Sequence, residues 1–270
     1  MTVDDKRPLL IHARELGIDI PTLCHDDRLT PYATCNLCVV EIENTRGLVT
    51  ACTRCPEEGM VIETENERIL ASRQHALKLL FSDHYANCVP PCRIKKTPNK
   101  FISRRSDFSS TQDTLPLCVK EAAPGHSEIS GARLFEAPAD DCKMCQCSAM
   151  GSCEIRKLAI KLQVLPEEHP GGFHAFEFQE LNPRLGLDMN KCIRCAKCIR
   201  ACDEIERVGI LGFVHRGFDT ELYYMAHPPE KQAQCMDCCL SGATCVEVCP
   251  TGALENLAKN TSAEGASPGG

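Results

Sequence analysis

Residues 191–202 read KCIRCAKCIRAC: Cys192, Cys195 and Cys198 follow one another at gaps of two residues, and Cys202 comes after a gap of three. Thiolates are soft ligands suited to zinc and to iron–sulfur clusters. A close triplet of them wraps three corners of a 4Fe–4S cubane, and the fourth cysteine of such a run reaches a second cubane. A second copy follows, with Cys235, two residues, Cys238, six residues, Cys245, three residues, Cys249 and then Pro250. The proline turns the chain away and carries no competing N–H. Crossing the fourth ligands assigns Cys192, Cys195, Cys198 and Cys249 to one cubane, and Cys235, Cys238, Cys245 and Cys202 to the other. The six-residue gap is wider than a regular run allows, and Cys239 inside it is the alternative to Cys238. Zinc is the competing metal, but zinc sites take cysteines in pairs rather than as a triplet with a crossing fourth.

A second set lies near the N-terminus: Cys24, ten residues, Cys35, two residues, Cys38, thirteen residues, Cys52. A 2Fe–2S cluster needs four thiolates, two per iron, and a close pair between two outlying cysteines meets that need. Plant-type spacing has four residues in the first gap where this chain has ten. Ala33 and Thr34 are small enough for a loop bending round a cluster. Cys55 is off pattern and is expected to be a buried bystander. A third set is looser: His84, Cys88 and Cys92, then Cys142, Cys145, Cys147 and Cys153 after a 49-residue gap.

The elements that must position these thiols are short. LLIHAREL followed by Gly17 predicts an amphipathic helix with a glycine cap. CVVEI, LVTAC and MVIET predict strands. Residues 66–81 predict a helix presenting Ile69, Arg73, Ala76, Leu77 and Leu80. EIRKLAIKLQV predicts another, with Ile155, Leu158, Ala159 and Leu162 on one side. Residues 93–140 are irregular, first basic and then Ser/Thr-, Pro- and Gly-containing, and read as an insertion. The end, 259–270, is small, polar and expected to be disordered.

Composition bounds the function. Of 270 residues 21 are Cys, none is Trp and aromatics are only 5 %, so something other than large rings must fill the interior. The net charge of −7 argues against a nucleic-acid binder. No 18-residue apolar run predicts a transmembrane span. Acidic residues before any apolar stretch argue against a signal peptide, which predicts a cytoplasmic, reducing setting where cysteines serve as ligands rather than disulfides.

The order of the sets resembles the N-terminal iron–sulfur region of the large peripheral subunit of respiratory complex I. The small diaphorase subunit of NAD-reducing hydrogenases, the accessory region of iron-only hydrogenases and NAD-linked formate dehydrogenases share that region. IPTLCHDDRL, CNLCVVEI, ACTRCPEEGMVIET, LLFSDHYANC, GSCEIRKLAI, CIRCAKCIRACDEI, GILGFVHRGFDTEL and CVEVCPTGAL carry the resemblance over most of residues 9–255. There are departures. Only eight residues precede Leu9, too few for the family's N-terminal hairpin, and the family's third site is not split by an insertion. The resemblance implies a third cubane on His84, Cys88, Cys147 and Cys153, with Cys92, Cys142 and Cys145 as contenders. A fourth cubane on Cys92, Cys118, Cys142 and Cys145 is the alternative use of the remaining thiols.

The implied fold is α+β: a β-grasp 2Fe–2S ferredoxin-like domain at 1–65, a His/Cys cluster-binding region at 66–175 and a two-cubane bacterial ferredoxin domain at 176–258. The implied function is an electron-transfer subunit with one 2Fe–2S and three 4Fe–4S clusters. It would relay electrons between a flavin-bearing NADH-oxidising subunit and a catalytic subunit such as a hydrogenase or formate dehydrogenase, beside a thioredoxin-like 2Fe–2S subunit. No glycine-rich dinucleotide fingerprint, phosphate loop or serine elbow marks a catalytic centre in the chain itself. The alternative is a scaffold whose clusters only hold the fold.

Overall fold

The computed structural model describes residues 6–82, 153–164, 176–225 and 228–257. His84, Cys88, Cys92, Cys118, Cys142, Cys145 and Cys147, the insertion at 93–140 and the C-terminal tail lie outside them.

The first sheet is built from the three predicted strands: β1 (Val39–Ile42), β2 (Leu48–Thr50) and β3 (Ile62–Glu63). Its order is β2-β1-β3 and both pairings are antiparallel, with Val39 opposite Thr50 and Glu41 opposite Glu63. Helix α1 (Leu9–Glu15) is closed by Gly17 at φ 75°, a left-handed turn that glycine makes without a Cβ clash. Leu9, Leu10 and Ala13 of α1 pack with Ile20, Val40, Ile42 and Ala51 around Cys38 and Cys52.

Helix α2 (Glu67–Ser82) starts on Asn66, whose side chain accepts from the Ile69 N–H at 2.8 Å. Arg73, buried on α2, donates to the carbonyls of Val39 at 2.9 Å and Thr64 at 3.1 Å, which ties the helix to the sheet. Helix α3 (Glu154–Lys161) begins immediately after Cys153 and buries Ile155, Arg156 and Ala159.

The C-terminal region has a three-stranded antiparallel sheet, β4 (Gln179–Asn182), β5 (Leu185–Leu187) and β8 (Leu254–Asn256), ordered β4-β5-β8. An antiparallel pair, β6 (Leu211–Val214) and β7 (Glu221–Tyr224), stands apart from it. Helical pieces between the strands hold or flank the cysteines: a 3₁₀ turn (Met189–Lys191), α4 (Lys197–Arg200) running into a π turn (Ala201–Ile205), α5 (Pro229–Ser241) and α6 (Thr244–Glu247). Leu185, Leu187, Met189, Val208, Ile210, Leu211, Leu222 and Leu254 form the core here, together with Cys202, Cys235, Cys239 and Cys245. The architecture is a mixture of short helices and small antiparallel sheets. In one respect expectation fails: Cys55 is exposed, not buried. The chain turns outward after Cys52, and the Cys55 thiol donates to the Lys6 carbonyl at 3.0 Å.

Candidate metal centres

Cys24, Cys35, Cys38 and Cys52 are each no more than 4 % exposed, although they come from loops and strand ends rather than from one element. Ala33 and Asn36 take left-handed φ of 55° and 53° on either side of Cys35. That curls the backbone round the thiol, and backbone N–H groups point inward. The Cys24 thiol is pulled down to about 5 by a hydrogen bond from the Cys35 thiol, against the opposing effect of burial; N–H groups of Cys35 and Thr34 and the charge of Arg200 add to it. Cys35 is correspondingly pushed up by donating to Cys24 and by burial. Cys38 is pushed up by its bond to Cys52 and by burial, and Cys52 is lowered as the acceptor. The four thiols therefore fall into two touching pairs, Cys24 with Cys35 and Cys38 with Cys52. The Cys24 charge is felt at both members of the second pair.

In the C-terminal region Arg194 (φ 53°) and Ala196 (φ 58°) coil the chain through Cys192, Cys195 and Cys198. Burial pushes Cys195 up to about 12, with Cys249 and Cys192 the like charges nearby. Burial also raises Cys198, and Cys195, Cys192 and Cys249 add to the rise. Cys249 is thus close enough for its charge to be felt at Cys195 and Cys198. Cys245 is raised by burial and then by the like charges of Cys238, Cys202 and Cys235.

Backbone N–H groups donate to sulfur in both sets: Arg194 to Cys192 and Ile210 to Cys202 at 3.4 Å, Ala253 to Cys249 at 3.3 Å. Asn182 Nδ2 approaches the Cys235 sulfur at 3.7 Å. Thiols at least partly buried that accept backbone N–H bonds suit an anionic iron–sulfur cluster, and these residues fit one.

The widened gap in the second run has a local cause. Cys235, Cys238 and Cys239 lie on α5 at helical spacing, so all three face the same way. The extra residues complete the last turn of that helix. Its end is capped on the Cys238 carbonyl, which accepts from Ala243 N–H at 2.9 Å and Ser241 Oγ at 2.9 Å. Gly242 (φ 149°) and Ala243 (φ 60°) then swing the chain back to Cys245. Cys238 is pushed up to about 11 by burial, whereas Cys239 accepts from Cys235 and is lowered. Both thiols therefore remain beside Cys235.

The separate sets share one interior. Cys24, Cys35, Cys153 and Cys195 pack in a single core with Leu23, Leu37, Leu77, Ile155, Ala159 and Ile193. Glu154 N–H also donates to the Pro250 carbonyl at 2.8 Å, next to Cys249.

Arg200 ties the same regions from another side. It is 8 % exposed, lies between Cys198 and Cys202 in sequence, and donates to the carbonyls of Cys24 and Thr30. Its guanidinium stands 5.4 Å from the centre of the Tyr32 ring. Leu29 packs on Ala201 and Val248 nearby, and Thr30 N–H donates to Glu204 at 2.7 Å. No local pattern marks Arg200, because its acceptors lie about 170 residues away in the sequence.

Among the described residues no three Cys, His, Asp or Glu side chains converge as on a single ion. No helix among them is long and apolar enough to cross a membrane.

Residues 1–67 match the 2Fe-2S iron-sulfur cluster binding domain, and residues 182–255 match the ferredoxin-like domain of NADH-quinone oxidoreductase subunit 3. An NADH-quinone oxidoreductase subunit of Rhizobium meliloti is 28 % identical over 254 residues, which span 94 % of this chain and 23 % of that protein. NADP-reducing hydrogenase subunit HndD of Solidesulfovibrio fructosivorans is 26 % identical over 258 residues, 94 % of this chain and 34 % of that one. The mitochondrial NADH-ubiquinone oxidoreductase 78 kDa subunit of Candida albicans is 23 % identical over 252 residues, 91 % of this chain and 26 % of that one. The chain thus spans only about a quarter to a third of these relatives. Among solved structures, a chain of an NAD+-reducing [NiFe]-hydrogenase in the H2-reduced state shares the fold. The TM-score is 0.62 at 19 % identity, covering 96 % of this chain and 84 % of that one. The chain therefore carries a 2Fe–2S cluster-binding domain followed by a ferredoxin-like domain of the NADH-quinone oxidoreductase subunit 3 type, and is a homologue of subunits of NADH- and NADP-linked oxidoreductases and hydrogenases.

Proposed function

We propose that this chain is an iron–sulfur electron-transfer subunit of an NAD(P)-linked oxidoreductase, relaying single electrons between a flavin-bearing NADH-oxidising subunit and a second catalytic subunit. The observation that carries the reading is the shared core, in which thiols of three different cysteine sets are buried together. A scaffold needs thiols buried within each domain; a relay needs them buried between domains as well. Each cluster, when bound, supplies a one-electron couple, and the chain's own groups do the rest. Cys24 and Cys35 would hold one iron of the 2Fe–2S group, and Cys38 and Cys52 the other. Cys192, Cys195, Cys198 and Cys249 would hold one cubane, and Cys202, Cys235, Cys238 and Cys245 a second. Cys153, with His84, Cys88 and Cys147, would hold a third.

The N–H groups of Arg194, Ile210 and Ala253 offset negative charge on sulfur, which tunes the potentials. The units follow the same division: 1–65, 66–175 and 176–258. A thioredoxin-like 2Fe–2S subunit alongside, a hydrogenase or formate dehydrogenase as the second catalytic subunit, and a cytoplasmic setting complete the proposal.

The test is metal content and partner dependence. Anaerobically purified protein should hold about 14 irons with matching acid-labile sulfide, counted as one 2Fe–2S and three 4Fe–4S groups. A fourth cubane would raise the count to about 18. NADH should bleach the visible absorbance rapidly only when the flavin subunit is added. Stoichiometric zinc with little sulfide, or rapid bleaching by NADH in a flavin-free preparation, would overturn the proposal.

A further inference from the structure

Arg156 lies in the first turn of α3, three residues beyond Cys153, which stands at the N-cap of that helix. It is 3 % exposed. Its Nε, Nη1 and Nη2 are all buried and none has a hydrogen-bond partner. The other two buried arginines differ: Arg73 donates to Val39 and Thr64, and Arg200 to Cys24 and Thr30. A guanidinium does not lose its proton in a protein, so Arg156 cannot escape the cost of burial by becoming neutral. A buried charge is tolerated only when paired. Its helix neighbours Ile155 and Ala159 are apolar and offer no counter-charge. Among the described residues no side chain supplies the anion that would balance Arg156.

We propose that Arg156 is the counter-cation of the iron–sulfur cluster held at Cys153, donating its N–H groups to cluster sulfur and raising that cluster's reduction potential above the value it would have without the charge. The inference rests on the reading of Cys153 as a ligand. A thiolate-bound cluster is anionic, and accepting one electron from a neighbouring cluster of the chain makes it more so by one unit. Arg156 meets that added charge with a fixed positive one. No bond breaks, and Arg156 is protonated before and after, so the electron moves without a proton. The fork of five N–H groups suits several sulfur acceptors at once, which a lysine ammonium on a flexible stem does not reproduce.

The test is an anaerobic, EPR-monitored redox titration of the whole chain with Arg156→Met, Arg156→Lys and Cys153→Ala. In Arg156→Met one midpoint should fall, so that the reduced-to-oxidised ratio at the wild-type midpoint drops about tenfold, equal to 59 mV for one electron. The other midpoints should hold, and Arg156→Lys should recover part of the shift. Loss of about four irons in Arg156→Met, restored in Arg156→Lys, would equally support the pairing. Unchanged midpoints at full iron content would overturn it.

Should Arg156→Met fail to fold, wild-type protein labelled with [15N]arginine carries the test. The reduced signal that Cys153→Ala abolishes should show 15N coupling in pulsed EPR, and its absence would overturn the proposal. Cys153→Ala also separates the two layers of inference. Full iron in that variant refutes Cys153 as a ligand and takes the Arg156 proposal with it. Loss of about four irons there, with no shift in Arg156→Met, refutes Arg156 alone.

Discussion

Replacing Arg200 by Met should loosen the contact between the 2Fe–2S domain and the ferredoxin-like domain without unfolding either. The guanidinium is buried and makes two charge-assisted hydrogen bonds, to the carbonyls of Cys24 and Thr30. Hydrogen bonds to charged groups contribute about 1.5–3 kcal/mol each, so the pair sets a range of roughly 3–6 kcal/mol. Water entering beside the freed carbonyls recovers part of this. The ring of Tyr32 is half exposed and adds only a few tenths. The working figure is about 3 kcal/mol, or two decades in the opening equilibrium.

The assay is native-state hydrogen exchange on anaerobic protein with its metal in place. The segment from Leu23 to Thr30 is the reporter, since Leu29 N–H is bonded to Asp26 O and Thr30 N–H to Glu204. Exchange there should accelerate about a hundredfold. Ala51 N–H, paired with Cys38 O inside the first domain, should not change. Acceleration below threefold at the reporter would refute the view that Arg200 clamps the two regions. Equal acceleration at Ala51 would show general destabilisation instead of a lost clamp.

The remaining expectations concern single positions. Cys238→Ser should remove about four irons, whereas Cys239→Ser should leave the metal content intact; the reverse outcome would move the ligand one residue along α5. Asn66→Ala removes the cap of α2 and should cost about 1 kcal/mol in chemical denaturation, with Asn66→Asp restoring most of it. Arg28 holds the Asp26 carboxyl down to about 2, chiefly through their side-chain hydrogen bond. A depressed carboxylate stabilises the fold above its unfolded pKa and loses that effect as pH falls toward the folded value. Protection of residues 26–30, corrected for intrinsic exchange, should therefore stay flat from pH 8 to about 5 and decline below about 4. Arg28 is half exposed, so the loss should be a few tenths of a kcal/mol, and a decline already under way at pH 6 would point to another group.

Much of the N-terminal region could be read directly from residue patterns. The apolar stripe of LLIHAREL with its following glycine, the three apolar runs, and the face of α2 all carry local signals that tertiary packing reinforces. The crossed grouping of Cys249 with Cys192, Cys195 and Cys198 rests on the pattern of two cysteine runs, each lending its fourth member to the other. What spacing concealed was secondary structure inside the motifs. The stretch around Cys235 carried no helix expectation, yet it is a 13-residue helix. Pro228-Pro229 before it and Gly242 after it were the punctuation that would have marked it. Cys55 misled for the opposite reason. A cysteine usually goes inside, but exposure depends on where the chain turns after Cys52, and no local pattern reports that. The buried arginines were illegible in principle, since whether a cation near a thiol faces water or core is decided by elements far away in sequence.

The common interior of Cys24, Cys35, Cys153 and Cys195 constrains how the molecule is made. Once α2, α3 and the Ile193 loop have closed over these thiols, none is more than 8 % exposed, and no iron donor could reach them from outside. For the centres proposed above, loading must precede closure. The unloaded regions, with several thiols in each core, would stay open until their metal arrives. Docking is then a record that every centre in that interior has been filled, and a chain lacking one of them would present an unclosed apolar seam to whatever in the cell removes unfinished proteins.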